Sequence, residues 1–139
     1  MNRIRSSILV LVLALGFSGW AFAHGDVTPQ LVDTTGLDNL GEEWKEENPY
    51  RGNPVAIKIG DSAYNQNCAR CHGLGAVSGG IAPDLRMLPT GLEGDEWFLM
   101  RIRNGVVRNG MTYMPAFEGI LSQEAMWAIR SWLDTVHVE

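Results

Sequence analysis

Cys68-Ala69-Arg70-Cys71-His72 decides how this chain is read, because it holds both cysteines of the sequence and a histidine directly after the second. C-x-x-C-H is the attachment signature of a c-type haem. Two thiols about one helical turn apart can add to the two vinyl groups of one porphyrin, and the imidazole that follows then lies beneath the iron as its proximal ligand. A Cys-x-x-Cys pair can also be a redox disulfide or half of a zinc site. The first belongs at a strand-to-helix junction of an alternating β/α pattern, which this chain lacks. The second needs four ligands at workable spacing, whereas His24 and His137 stand near the two ends of the exported chain. The expected cofactor is one haem c, bound covalently through Cys68 and Cys71 and ligated by His72.

Upstream, residues 1–23 read as a cleaved secretory signal. Arg3 and Arg5 supply the positive end, Ile8 to Leu15 the apolar run, and Ala21-Phe22-Ala23 the small-x-small cleavage site. The apolar run is short for a membrane anchor and no cysteine follows it to take a lipid, so no stable membrane attachment is expected. Export suits c-type haem, which is attached outside the cytoplasmic membrane, and the expected address is a bacterial periplasm. The 139 residues carry 11 Lys+Arg against 16 Asp+Glu, a net charge of −5, and the signal takes two of the positive charges with it. Such an acidic chain is a poor ligand for nucleic acid. What remains after cleavage is enough for one small domain, expected as a monomer, whose core needs a filler such as haem.

Residues 24–53 form an acidic arm in which Asp26, Asp33, Asp38, Glu42, Glu43, Glu46 and Glu47 face only Lys45 and Arg51. No helical or strand period runs through it, so it reads as an extended segment stapled to the domain by Trp44 and Tyr50. It either stays a solvated extension or steers a redox partner. The haem domain is then 54–139. Asn53-Pro54 predicts a helix start, and Ile57, Gly60, Tyr64 and Cys68 line one face of a helix running into the attachment site. A second helix is predicted over 122–138, with Ser122 as N-cap and Met126, Ile129, Leu133 and Val136 as its apolar stripe. An interior helical glycine costs about 1 kcal/mol relative to alanine, which close approach of this last helix would offset. Trp132 is the ring expected to fill the space beside Gly60 and to stack near Tyr64.

Residues 73–80 form a small-residue loop, followed by Ile81-Ala82-Pro83-Asp84-Leu85. A third helix is expected over 95–103, with Asp84 a loop residue and Asp95 its cap. Four methionines downstream of His72 are candidates for the second axial position. Met100 lies within the third helix, where packing is the usual role, and Met87 follows His72 too closely. Met111 and Met114 share a non-helical stretch between Gly110 and Pro115, and Pro115 biases Met114 toward an extended backbone. Arg101, Arg103 and Arg108 surround Asn104-Gly105-Val106-Val107, just before that stretch, as a solvated face with one arginine on a haem propionate or as a docking patch.

Gly60, Tyr64, the C-x-x-C-H motif and the Trp132-Leu133 pair resemble the class I cytochromes c. That resemblance covers 54–139 and implies an all-α fold in which the N- and C-terminal helices cross around one covalent haem. It implies that the Pro83 carbonyl takes the second ring proton of His72. Tyr113-Met114-Pro115-Ala116-Phe117 resembles the family's ligand loop, which implies Met114 as the sixth ligand. Gly60, Tyr64 and Trp132 are then supports of the haem pocket.

A narrower resemblance rests on three stretches: Gly41-Glu-Glu-Trp-Lys-Glu-Glu-Asn-Pro-Tyr-Arg-Gly-Asn53, Tyr64-Asn-Gln-Asn-Cys-Ala-Arg-Cys-His-Gly73 and Arg103-Asn-Gly-Val-Val-Arg-Asn-Gly110. These are similar to the periplasmic c-550 type cytochromes that serve PQQ-dependent alcohol dehydrogenases. The resemblance implies a single-electron carrier and not an enzyme, taking electrons from such a dehydrogenase and passing them to a terminal oxidase or another cytochrome. A haem c subunit of a larger oxidoreductase and a haem-based ligand sensor are the competing functions.

Overall fold

Asn53 begins the first helix through its own side chain, whose carbonyl oxygen accepts from the Val55 N–H at 2.8 Å and the Ala56 N–H at 3.2 Å. Pro54 takes the first helical position, where its missing N–H leaves nothing unsatisfied. The computed structural model describes residues 29–139, and in it this helix is α1 (Pro54–Asn67). A one-turn α2 (Ala69–His72) follows, then 3-10 turns at Leu74–Ala76 and Leu85–Met87 and the longer α3 (Gly91–Asn104). Strands β1 (Val106–Arg108) and β2 (Met111–Met114) precede the last helix, α4 (Gln123–Thr135). The export signal expected over 1–23 lies outside the described residues. Among the described residues no helix is long and apolar enough to cross a membrane.

Helices α1 and α4 pack against each other at Gly60. A Cβ built there would stand 1.9 Å from the Ala128 carbonyl oxygen, so no side chain can be carried at this position without parting the helices. The space beside Gly60 is therefore filled by the Ala128 backbone and not, as expected, by Trp132. The Trp132 ring sits a turn further on, 4.4 Å from the Tyr64 ring at an interplanar angle of 36°. Helix α4 is capped by Ser122 Oγ, which accepts from the Ala125 N–H at 3.2 Å. It ends at Thr135, short of the expected Val138, because the tail turns toward Arg86: the Val138 N–H donates to the Arg86 carbonyl at 3.0 Å and His137 Nδ1 lies 2.9 Å from the same oxygen.

The apolar stripe of α4 was expected on one face, yet Trp127, Arg130 and Ser131 are also buried. The arm is the reason. Residues 29–53 contain no helix or strand, but they lie against α4 as a second wall. The Leu40 N–H donates to Glu124 at 2.9 Å, the Lys45 N–H to Gln123 Oε1 at 2.7 Å, and the Asn48 amide to Ser131 Oγ at 3.0 Å. Tyr50 is buried and its hydroxyl donates to the Asp38 carbonyl. Trp44, half-buried, lies under the Arg103 guanidinium at 4.0 Å. The described part of the arm is thus a strap and not a solvated extension.

Helix α3 starts at Gly91, after Thr90 and ahead of the expected 95–103, so Asp95 is not its cap. Asp95 is fully buried and collects the fold's charged contacts. Its carboxylate accepts from Arg130 Nε at 2.7 Å, from the Asn48 N–H at 2.9 Å and from the Arg51 guanidinium. Arg130 also donates to the Pro89 carbonyl at 2.6 Å, and Asp134 pairs with both Arg51 and Arg130. One carboxylate therefore ties the strap, α3 and α4 together. The last departure from the expected all-α fold is the β1–β2 hairpin. Its two-residue turn, Asn109-Gly110, has positive φ at both positions (51° and 76°), as the hairpin twist requires.

Replacing one partner of a buried ion network leaves the other charges buried without compensation, which costs on the order of 3 kcal/mol. Asp95→Asn should lower the unfolding free energy by about that amount in a urea titration. Burial, reinforced by the Glu124 and Asp38 charges, pushes the Tyr50 phenol from 10.0 up to about 12. The shift is upward, so the stability it carries is fully present below pH 10.0 and is lost as pH rises through about 12. Tyr50→Phe should be less stable at neutral pH by about 1 kcal/mol, from the lost hydrogen bond, yet lose less on alkaline titration than the parent.

Candidate functional site

The two cysteines and the histidine are presented by one turn of helix at the end of α1. The Cys68 N–H still donates to the Tyr64 carbonyl at 2.8 Å, while the N–H groups of Cys71 and His72 close back onto the Cys68 carbonyl at 3.1 and 3.0 Å. Burial, with Cys71 adding to it, pushes the Cys68 thiol up to about 12. His72 is buried with its Nδ1 at 2.9 Å from the Pro83 carbonyl oxygen. That contact leaves Nε2 as the ring nitrogen that can take a metal.

The segment carrying Pro83 is held at both ends. Tyr64 Oη donates to the Gly73 carbonyl at 2.7 Å, and burial pushes that phenol upward. At the far end the Asp84 carboxylate accepts from the Arg86 side chain at 2.7 and 3.0 Å and from the Arg86 N–H at 3.1 Å. The Arg86 side chain is the chief reason the Asp84 carboxyl is held down at about 2. Asp84 is the N-cap of the Leu85–Met87 turn, more than the plain loop residue expected from sequence.

Cys68, Cys71, His72 and Met114 line one cavity, whose remaining wall is mostly apolar and includes Leu85, Phe98, Ile102, Phe117 and Ile129. Met114 reaches it from β2, where pairing with Val106 sets its position. Gly105, with φ +67°, makes this possible: an added Cβ would stand 2.4 Å from the Met114 carbonyl oxygen. The other candidate methionines lie elsewhere. Met111 is exposed, and Met87 and Met100 are exposed along a neighbouring groove bordered by Glu93 and Glu96. Gly60, Tyr64 and Trp132 do not line the cavity: Gly60 meets the Ala128 backbone, and the Tyr64 and Trp132 rings meet each other.

Helix α3 supplies three lining residues that sequence reasoning did not single out, Trp97, Phe98 and Ile102, together with Arg101, one of the three arginines it had left undivided. Their i, i+4 spacing, Trp97 with Arg101 and Phe98 with Ile102, was the available signal. The Arg101 guanidinium lies 5.3 Å from the centre of the Trp97 ring, and its Nε is buried with no hydrogen-bond partner among the described residues. A nitrogen and a sulfur donor, two thiols, apolar walls and an unsatisfied buried guanidinium nitrogen suit a flat apolar ring that carries a metal at its centre and carboxylates at its edge.

Residues 55–133 match the family described as cytochrome C oxidase, cbb3-type, subunit III. Cytochrome c550 of Pseudomonas aeruginosa is 59% identical over 142 residues, covering 99% of this chain and 97% of that protein. Two quinohemoprotein alcohol dehydrogenases of Pseudomonas putida, ADH-IIG and ADH IIB, are 37% and 31% identical over 79 and 85 residues. Those stretches cover 57% and 61% of this chain but 10% and 12% of the two enzymes. No solved structure gives a significant match. With the haem-attachment signature on the wall of an apolar cavity and a full-length cytochrome relative, the chain belongs to the cytochrome c family: it carries covalently bound haem c with its iron and is an electron-transfer protein rather than an enzyme.

Proposed function

We propose that this chain is a periplasmic single-electron carrier that takes electrons from a PQQ-dependent alcohol dehydrogenase and passes them toward a terminal oxidase or another cytochrome. The observation that carries the reading is the sharing of one cavity by His72 and Met114 while Met111, Met87 and Met100 stay outside it. Cys68 and Cys71 would hold the haem covalently, and His72 and Met114 would be its two axial ligands. When bound, the haem supplies a one-electron ferric/ferrous couple. With His72 and Met114 both holding the iron, no site would be left for a small molecule, which favours electron transfer over ligand sensing. The Pro83 carbonyl, 2.9 Å from His72 Nδ1, would fix the tautomer that leaves Nε2 for the iron, and the Met114 thioether would favour the ferrous state and raise the potential.

The donor assignment has separate support: the matching stretches of the two Pseudomonas putida enzymes show that a domain like this one occurs within quinohemoprotein alcohol dehydrogenases. A free carrier of the same type is a natural electron acceptor for such an enzyme. The family description as an oxidase subunit favours a second reading, a haem c subunit of a larger oxidoreductase. Tight co-purification with other chains would select it.

Met114→Ala should open one axial position, lower the reduction potential and allow carbon monoxide to bind at neutral pH; an unchanged spectrum would move the ligand role to Met111. The purified protein should be reduced by a PQQ-dependent alcohol dehydrogenase in the presence of its alcohol, followed in the visible spectrum. Reduction no faster than background would remove this donor.

A further inference from the structure

Among the described residues, Arg101 carries a buried guanidinium nitrogen that no acceptor meets. Arg103 is held at both ends of its fork by Glu118, at 2.9 Å each, and Arg86, Arg51 and Arg130 are paired to carboxylates. Arg101 meets no carboxylate within ion-pair distance among the described residues, and its buried Nε has no hydrogen-bond acceptor among them. A buried charged N–H without an acceptor forfeits its hydration with nothing in return, so a partner is expected in the functional protein. Its surroundings say where that partner is. Arg101 lines the cavity that holds Cys68, Cys71 and His72, and Trp97, which lines it as well, lies 5.3 Å from the guanidinium. The missing group is therefore an anion that enters with the cavity's occupant. A porphyrin of haem c brings two carboxylates at one edge, and a planar guanidinium matches a carboxylate with paired N–H donors.

We propose that Arg101 binds a haem propionate inside the cavity, oriented by Trp97, and thereby raises the reduction potential of the protein. This rests on the haem occupying the cavity as described above and assigns the role to Arg101 rather than to its neighbours. Arg103 is committed to Glu118 and Trp44. Arg108 also lines the cavity, but it is an exposed residue over Tyr113 at 5.8 Å and remains solvated. The sign follows from charge. An unpartnered propionate near the iron stabilises the ferric form, which is the more positive state, and a guanidinium on that carboxylate removes the preference.

The test is a redox titration of the free holo-protein, without any dehydrogenase, so that its outcome is independent of the donor assignment. Arg101→Gln should lower the midpoint potential by more than Arg103→Gln does, and Arg101→Lys should recover part of the drop by keeping the charge without the planar fork. Equal potentials for Arg101→Gln and Arg103→Gln would overturn the assignment while leaving the carrier reading intact. If Arg101→Gln yields no holo-protein, Arg101→Lys is titrated instead. A midpoint potential below that of Arg103→Lys upholds the proposal, and one equal to it overturns it.

Discussion

The backbone contact between Gly60 and Ala128 is the constraint from which the rest of the structure follows. It brings α1 and α4 closer than any side chain at position 60 would allow. The attachment motif continues from the end of α1, and Ile129, next to Ala128, is part of the cavity wall. The spacing between thiols and wall is therefore set by the absence of one Cβ. The conformational cost of an interior glycine, about 1 kcal/mol, is small beside the burial of Ala56, Tyr64, Met126 and Leu133 that the contact permits.

A second tie works through charge. Asp95 takes hydrogen bonds from the strap and from α4 while belonging to α3, the helix that also supplies Trp97 and Arg101 to the cavity. Desolvating these charges offsets much of their mutual attraction, so the network contributes less to net stability than to specifying one arrangement of three segments. The strap spends its backbone on α4 but keeps its carboxylates outward: Asp33, Glu42, Glu43, Glu46 and Glu47 are all exposed. That leaves a negative surface able to orient an approaching partner, in a chain that has few lysines to do so.

How far the chain could be read without coordinates varied with the range of the interaction. Local signals were legible: Asn53-Pro54 and Ser122 each start a helix through contacts two or three residues away. The Asn109-Gly110 turn is a local signal as well, but the strands it joins are only three and four residues long and carry little alternation of their own. Asp95 was misread as a cap, since a carboxylate near a helix start looks the same whether its partners are backbone N–H groups or arginines distant in sequence. Arg101 was indistinct from Arg103 for the same reason, because only the fold decides which of them finds a carboxylate.

The sequence by itself determined the cofactor chemistry, because thiols and imidazole at C-x-x-C-H spacing act through a single helical turn and need no distant help. It also determined that one small, acidic domain would have to build its core around that cofactor. Tertiary structure alone decided that residues 29–53 of the acidic arm are a strap, that Met114 shares the cavity with His72, and that Arg101 Nε is left without an acceptor among the described residues. Each of those outcomes depends on burial and on contacts between segments far apart in the chain, and neither is encoded in the spacing of neighbouring residues.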